Sequence, residues 1–213
     1  MRDEYAALPH DLVWGQPLFG LTDEAPGWVG EVVRGDSPWV VRRARAPLGQ
    51  VAVGMRGPAR GQRYATFMAL AQMRRIVRPE HLIDAVGRRP WPALQALAWV
   101  RPWMNATGLV WGVGGSAGFE LASGVAALHA ASDLDLILRT PCWVGRPWAA
   151  ELVRALDDAP CRIDVQLQTP AGGVALREWA GASRQVLLKG DDAARLVEQP
   201  WSRAACAPRY THE

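Results

Sequence analysis

Lysine is almost missing from this chain. Lys189 is its only one, and every other residue among the 24 basic ones is arginine. The formal net charge is only +3, and no basic run of the kind that forms a nucleic-acid-binding tail is present. Nothing therefore points to a nucleic-acid partner. Arginine carries a planar fork that grips phosphate through paired hydrogen bonds, so the bias is compatible with an anionic substrate. Cysteine is scarce too: Cys142, Cys161 and Cys206 are widely spaced and form no CxxC pair. That spacing suggests neither a zinc ribbon nor a disulfide framework, and the expectation is three reduced thiols. Long apolar runs are lacking, since Arg, Pro or Gly interrupts each one well short of the roughly 18 residues that a membrane span needs. The opening MRDEYAALPHDL has no signal-peptide apolar segment, so a cytoplasmic protein with no membrane association is expected. Internal repeats and low-complexity segments are absent as well.

What the chain does have is 49% hydrophobic residues, ample for a real core, with 11 scattered tryptophans suited to anchoring core and interface. The first half reads as short strands at GWVGEVVRG, PWVVRRAR and QVAVGMRGPARGQR, divided by Pro and Gly. From Gln62 to Val77 the apolar spacing predicts an amphipathic helix ending before Pro79. PEHLIDAV and PWPALQALAWV predict two more helical pieces, with GRRPWP at 87–92 as the linker. From Gly108 strands and helices alternate: GLVWGV, helix SAGFELASG, LDLILRT, helix PWAAELVRALDD, RIDVQLQT, helix ALREWAGA and a last strand QVLLKG. The expected class is α+β, with an N-terminal α/β domain over 1–88 and a second domain built on a small mixed sheet over 89–213.

The chemistry concentrates in the second half. In SDLDLILRT, strand alternation sends Asp133 and Asp135 to one face and Leu134, Leu136 and Leu138 to the other. Two carboxylates held that close repel each other, and a hard divalent cation such as Mg²⁺ would neutralise them. A solvated strand entrance is the plainer reading of DxD alone. Asp164, between Ile163 and Val165 in a second apolar strand, adds a third carboxylate where an unpaired charge would be costly. Upstream, Gly114, Gly115 and Ser116 end a strand just before a helix, where free N–H groups and a hydroxyl can cradle phosphates.

The order strand, Gly-Gly-Ser, helix, Asp-x-Asp strand, helix, Asp strand resembles the nucleotidyltransferase fold of the DNA polymerase β type. With LPHDLVW, VAVGMRGPARGQRYA, GGSAGFELASG, SDLDLILR and RIDVQLQTPAGGVALREWA taken together, nearly the whole chain resembles the malonate decarboxylase holo-acyl-carrier-protein synthase family, also called phosphoribosyl-dephospho-CoA transferases. The resemblance implies transfer of a 2′-(5″-phosphoribosyl)-3′-dephospho-CoA group from its triphosphate precursor to a serine of the apo acyl carrier subunit of malonate decarboxylase, releasing diphosphate. It implies that Asp133, Asp135 and Asp164 are catalytic and bind two Mg²⁺ ions, with Mn²⁺ as an alternative metal. Gly115 and Ser116 would hold the β and γ phosphates. Arg56 and Arg60 would contact substrate phosphates, with Arg63 beside them, and Lys189 would either reach the diphosphate or be an ordinary surface lysine. His10 and Asp11 match the family pattern with no chemical role beyond structural hydrogen bonding, and His129 is expected to be a bystander. Other readings of the same fold are an enzyme that moves a nucleoside monophosphate to a protein, RNA or small molecule, and a non-catalytic binding protein.

Overall fold

Strand alternation organises both halves of the molecule. The structure, a computed structural model, describes residues 7–15, 25–59 and 61–201. The first sheet contains β1 (Leu12–Gly15), β2 (Trp39–Val41), β3 (Gln50–Arg56), β4 (Arg63–Ala69) and β5 (Met73–Val77) in the order β4-β3-β2-β1-β5. Every pairing in it is antiparallel. On β1, Val13 points into an apolar cluster with Trp39, Val41, Val53 and Met68, while Leu12 and Trp14 face the main core. Helix α1 (Gly27–Arg34) covers the Val13 cluster with Val29, Trp28, Val32 and Val33.

Three expectations fail in this half. The segment predicted to be a helix from Gln62 to Val77 is instead β4, a short 3₁₀ turn at Leu70–Gln72, and β5. The reason is the closure before it: Gly57 donates its N–H to the Gln62 carbonyl at 3.1 Å, Gly61 sits at φ +95°, and β4 then pairs with the whole length of β3. A full ladder overrides a fair helical spacing. Conversely GWVGEVVRG, predicted as a strand, is α1, because its valines at helical spacing cover one sheet face. The helical piece at PEHLIDAV is reduced to a 3₁₀ turn over Pro79–Leu82.

The second sheet contains β6 (Trp111–Val113), β7 (Leu134–Arg139), β8 (Ile163–Thr169), β9 (Gly172–Ala175), β10 (Val186–Lys189) and β11 (Ala194–Val197), ordered β11-β10-β9-β8-β7-β6. Only β7 and β8 run parallel, joined by the crossover helix α4 (Arg146–Leu156). One face is apolar: Leu134, Leu136, Leu138, Ile163, Val165, Leu167 and Leu188 share a core with α2 (Pro92–Ala106), α4 and α5 (Leu176–Ala180). α3 (Gly115–Ser123) follows β6 directly. Residues 89–201 therefore form a mixed sheet with helices, as expected, with β9 and β11 added. The molecule is α+β. Among the described residues no helix is long and apolar enough to cross a membrane. Cys161 is free, but Cys142 is disulfide-bonded, which corrects the expectation of three reduced thiols.

The other face of the second sheet is polar, and there the halves meet. Arg43 hydrogen-bonds Gln168 on β8 and pairs with Asp191 at 3.5 Å, while Arg45 donates to Asp192 at 2.7 Å. Arg139, at the end of β7, pairs with Glu80 at 2.6 Å and stands 3.9 Å from the fully buried Asp11. The backbone at Pro79 lies so close to β6 that a Cβ on Gly112 would collide with it.

Candidate active site

The site is built from that polar face. Asp133 immediately precedes β7, Asp135 lies on it, and Asp164 on β8 is the parallel partner of Asp135. The three carboxylates thus face the same way while their leucine and isoleucine neighbours turn inward. Burial first, then repulsion from Asp133 and Asp164, pushes the Asp135 carboxyl up to about 6, against the partial relief of Arg56 and Lys189. The acidic group is short of positive charge, even with those cations beside it.

Facing Asp135 is the turn from β6 into α3. Gly114 donates its N–H to the Asp135 carbonyl at 2.9 Å, fixing the turn against β7. Gly115 sits at φ +57°, and a Cβ there would fall on the Asp135 carboxylate. Only glycine satisfies both the dihedral and the approach. Gly115→Ala is expected to lower the urea midpoint by the equivalent of about 2 kcal/mol or more, from the left-handed backbone cost and the displaced carboxylate together. An unchanged midpoint would mean the turn has room that these positions deny.

Ser116, the next residue, accepts a 2.6 Å hydrogen bond from Arg56 Nη1 at the end of β3. Arg63 is the strand partner of Arg56 and lines the same cavity, but its guanidinium donates to the Gln62 carbonyl at 2.9 Å. Lys189 is at the end of β10, close enough to act on Asp135. Arg60 lies outside the described residues. The structure thus brings together Asp133, Asp135, Asp164, Gly115, Ser116 and Arg56, with Lys189 at the margin. His129 shapes a loop turn instead, accepting from the Ala131 N–H at 3.2 Å.

Two residues beside the site stand apart from the sequence expectations: Arg162, which they did not name, and His10, to which they gave only structural hydrogen bonding. Arg162 donates to Asp164 at 2.9 Å from an exposed position, and its place two residues before Asp164 was the available signal. His10 lines the cavity between the halves, a space of about 510 Å³ that also touches Asp135, Gly115 and Ser116.

Among the described residues no three His, Cys, Asp or Glu side chains are drawn into a ready-made metal cage. The donors do fit a hard divalent ion. All are carboxylate oxygens, one of them is held short of countercharge, and Mg²⁺ characteristically takes one or two carboxylates and completes its shell with water and substrate phosphate.

Acidic side chains on a sheet face stand opposite a Gly-Ser helix entrance bonded to an arginine, a combination whose chemistry suits phosphate groups and a hard cation. Residues 8–79 match the model of the phosphoribosyl-dephospho-CoA transferase MdcG N-terminal domain, and residues 81–200 match that of its C-terminal domain. The chain belongs to the phosphoribosyl-dephospho-CoA transferase family and is a transferase. A phosphoribosyl-dephospho-CoA transferase of Pseudomonas syringae pv. tomato is 57% identical over 95% of this chain and 98% of the relative. Proteins of the same name from Pseudomonas aeruginosa (51%, over 94% of this chain and 97% of the relative) and Azotobacter vinelandii (48%, over 92% and 95%) are similar over the same extent. No solved structure matches the chain.

Proposed function

We propose that this protein transfers the 2′-(5″-phosphoribosyl)-3′-dephospho-CoA group from its triphosphate precursor to a serine of the apo acyl carrier subunit of malonate decarboxylase, releasing diphosphate. The observation that carries the reading is the set of aspartates across from the Ser116–Arg56 pair, within a chain of this family. The serine oxygen attacks the α-phosphorus, the bond from that phosphorus to the bridging oxygen of the leaving diphosphate breaks, and the serine proton passes to the Asp164 carboxylate. Ser116, the α3 N–H groups and Arg56 hold the β and γ phosphates, with Lys189 reaching them from β10. Asp133 and Asp135 would hold two Mg²⁺ ions, with Asp164 completing the set. When bound, the metal lowers the pKa of the attacking hydroxyl and neutralises charge on the leaving diphosphate. The chain itself supplies alignment. The domain division at 88/89, the nucleotidyltransferase type of the second half and a cytoplasmic setting belong to the same proposal.

The test is intact-mass spectrometry of the apo carrier subunit after incubation with the protein, Mg²⁺ and the triphosphate precursor. A gain equal to the phosphoribosyl-dephospho-CoA group supports the reading. No gain from the precursor, with gain from ATP or CTP, would replace it with nucleoside monophosphate transfer.

Metal binding should depend on pH in a defined direction. Because the Asp135 carboxyl without metal titrates near 6, protons compete with Mg²⁺ below that value. Apparent affinity is expected to fall about tenfold per pH unit below 6 and to level off above 7, as measured by calorimetry. A flat profile from pH 5 to 8 would remove Asp135 from the ligand set.

A further inference from the structure

The cavity between the halves has a floor that the transfer chemistry does not use. One row of residues crosses all five strands of the first sheet: Ala65, Gly54, Val40, Leu12 and Val77 stand opposite one another in turn. All five line the cavity. The row is apolar, so it gives the cavity an apolar shelf, and Phe119 of α3 lines the same space. The two flanks of this shelf differ. Arg56 and Arg63 lie on one flank, at the phosphate-binding turn, while Arg42 and His10 lie two residues beyond Val40 and two before Leu12, on the other. With about 3.3 Å per residue, the flanks are roughly 13 Å apart, enough to hold phosphates at one end and a nucleoside base at the other.

His10 is built for a particular contact. Its backbone is at φ +79°, a conformation rare for residues other than glycine and one that persists where the surroundings enforce it. Its Nε2 lies 3.3 Å from Gln168 Nε2. Arginine can only donate, so the bond from Arg43 assigns the Gln168 oxygen as acceptor and leaves the Gln168 amide nitrogen to donate. His10 Nε2 must then accept, which puts the imidazole proton on Nδ1. Burial, followed by the charges of Arg43, Arg139 and Lys189, lowers the ring's pKa to about 4, so it stays neutral. A neutral donor in a cationic surround suits an uncharged acceptor, since a phosphate would be better met by the neighbouring guanidinium groups. The stem of Arg42 runs over Gly54, where a Cβ would come within 2.9 Å of its Cδ, and Arg42 lines the same cavity as His10.

We propose that the shelf is the purine subsite of the donor substrate and that His10 Nδ1–H is its hydrogen-bond donor, held in that tautomer by the Arg43–Gln168 relay. The assignment rests on the transferase reading, because it presumes an adenine-bearing donor. It makes the first half of the chain the part that recognises the nucleotide.

Calorimetry with 3′-dephospho-CoA and with AMP tests this without metal or turnover. Both should bind the wild-type protein, and pantetheine 4′-phosphate should not compete. His10→Gly relieves the positive φ but leaves the buried Gln168 amide donor without His10, so folding is checked by its melting temperature, and the folded variant should bind both ligands at least about tenfold more weakly. His10→Asn tolerates the same backbone and restores a donor, so it should recover most of the affinity. Nitrogen-15 NMR of the free protein at pH 7 should show His10 protonated at Nδ1 alone. Equal affinity for wild type and His10→Gly, competition by pantetheine 4′-phosphate but not AMP, or an Nε2–H tautomer would each overturn the proposal. Its failure is distinct from that of the transferase reading, which the carrier mass gain decides on its own.

Discussion

Replacing Asp135 with asparagine is expected to lower the transfer rate by at least about a thousandfold and, in the same protein, to raise stability. The two effects have one cause. Asp135 is held with its carboxyl pushed up to about 6 by burial and by Asp133 and Asp164, so in the absence of metal its ionised form is a burden on the folded state. Asparagine keeps the shape and removes the charge. A shift of this size corresponds to about 1–3 kcal/mol of relief near neutral pH. The sign follows from linkage: with the folded value raised, this group's contribution to stability is fully present below the unfolded value near 4 and is lost as the pH rises through about 6. The stabilisation by Asp135→Asn should therefore be seen at pH 7 and fade toward pH 4, in parallel urea titrations. Single-turnover carrier modification reads the loss of function. A variant within tenfold of the wild-type rate would show that Asp135 does not take part in the chemistry, whatever its effect on stability. Active sites that gather like charges commonly pay in this way.

Arg139→Leu is expected to have the largest effect on stability, about 3–5 kcal/mol. Arg139 is the cation between Glu80, 2.6 Å away, and Asp11, 3.9 Å away and fully buried. Its removal leaves Glu80 and the buried Asp11 without their nearest cation, with Arg78 still acting on Asp11, and breaking a buried pair from one side costs far more than the pair contributes. Asp11 already titrates near 6, chiefly because of burial, with the Leu8 N–H and Arg139 working in the opposite direction. Without Arg139 the Asp11 carboxyl is pushed further up, and the deficit should shrink as the pH falls and Asp11 takes up a proton. Adding Glu80→Gln to Arg139→Leu should restore part of the loss, because one of the stranded charges is gone. A loss below 1 kcal/mol, or one independent of pH, would mean that the halves do not depend on this junction.

The parts of the molecule visible in its sequence are those whose signal is local. The alternation around Asp133 and Asp135, the Gly-Gly-Ser helix entrance and the single aspartate of β8 each lie within a few residues, and the structure places them on one face. What the sequence concealed is set at long range. Arg139 meets Asp11, and His10 meets Gln168, across more than a hundred residues, and no spacing rule connects them. LPHD therefore offered a pattern without a role. The Gln62–Val77 segment was misread for a related reason: Tyr64, Phe67 and Met68 fall at a helical spacing, but the choice was made by β3, to which β4 is tied by the turn before it. In α1, three valines favoured a strand until a valine-lined sheet face required a helix to cover it.

Because the shelf and the carboxylates belong to different sheets, selection can act on them separately. Substitutions at Ala65 or Val40 change the surface of the first sheet, while the carboxylates stay on the strands of the second. Descendants of such a chain could acquire a new donor molecule while keeping their old chemistry. The barrier to that innovation is the seam at Arg43, Arg45 and Arg139, which must keep its register for either sheet to find the other.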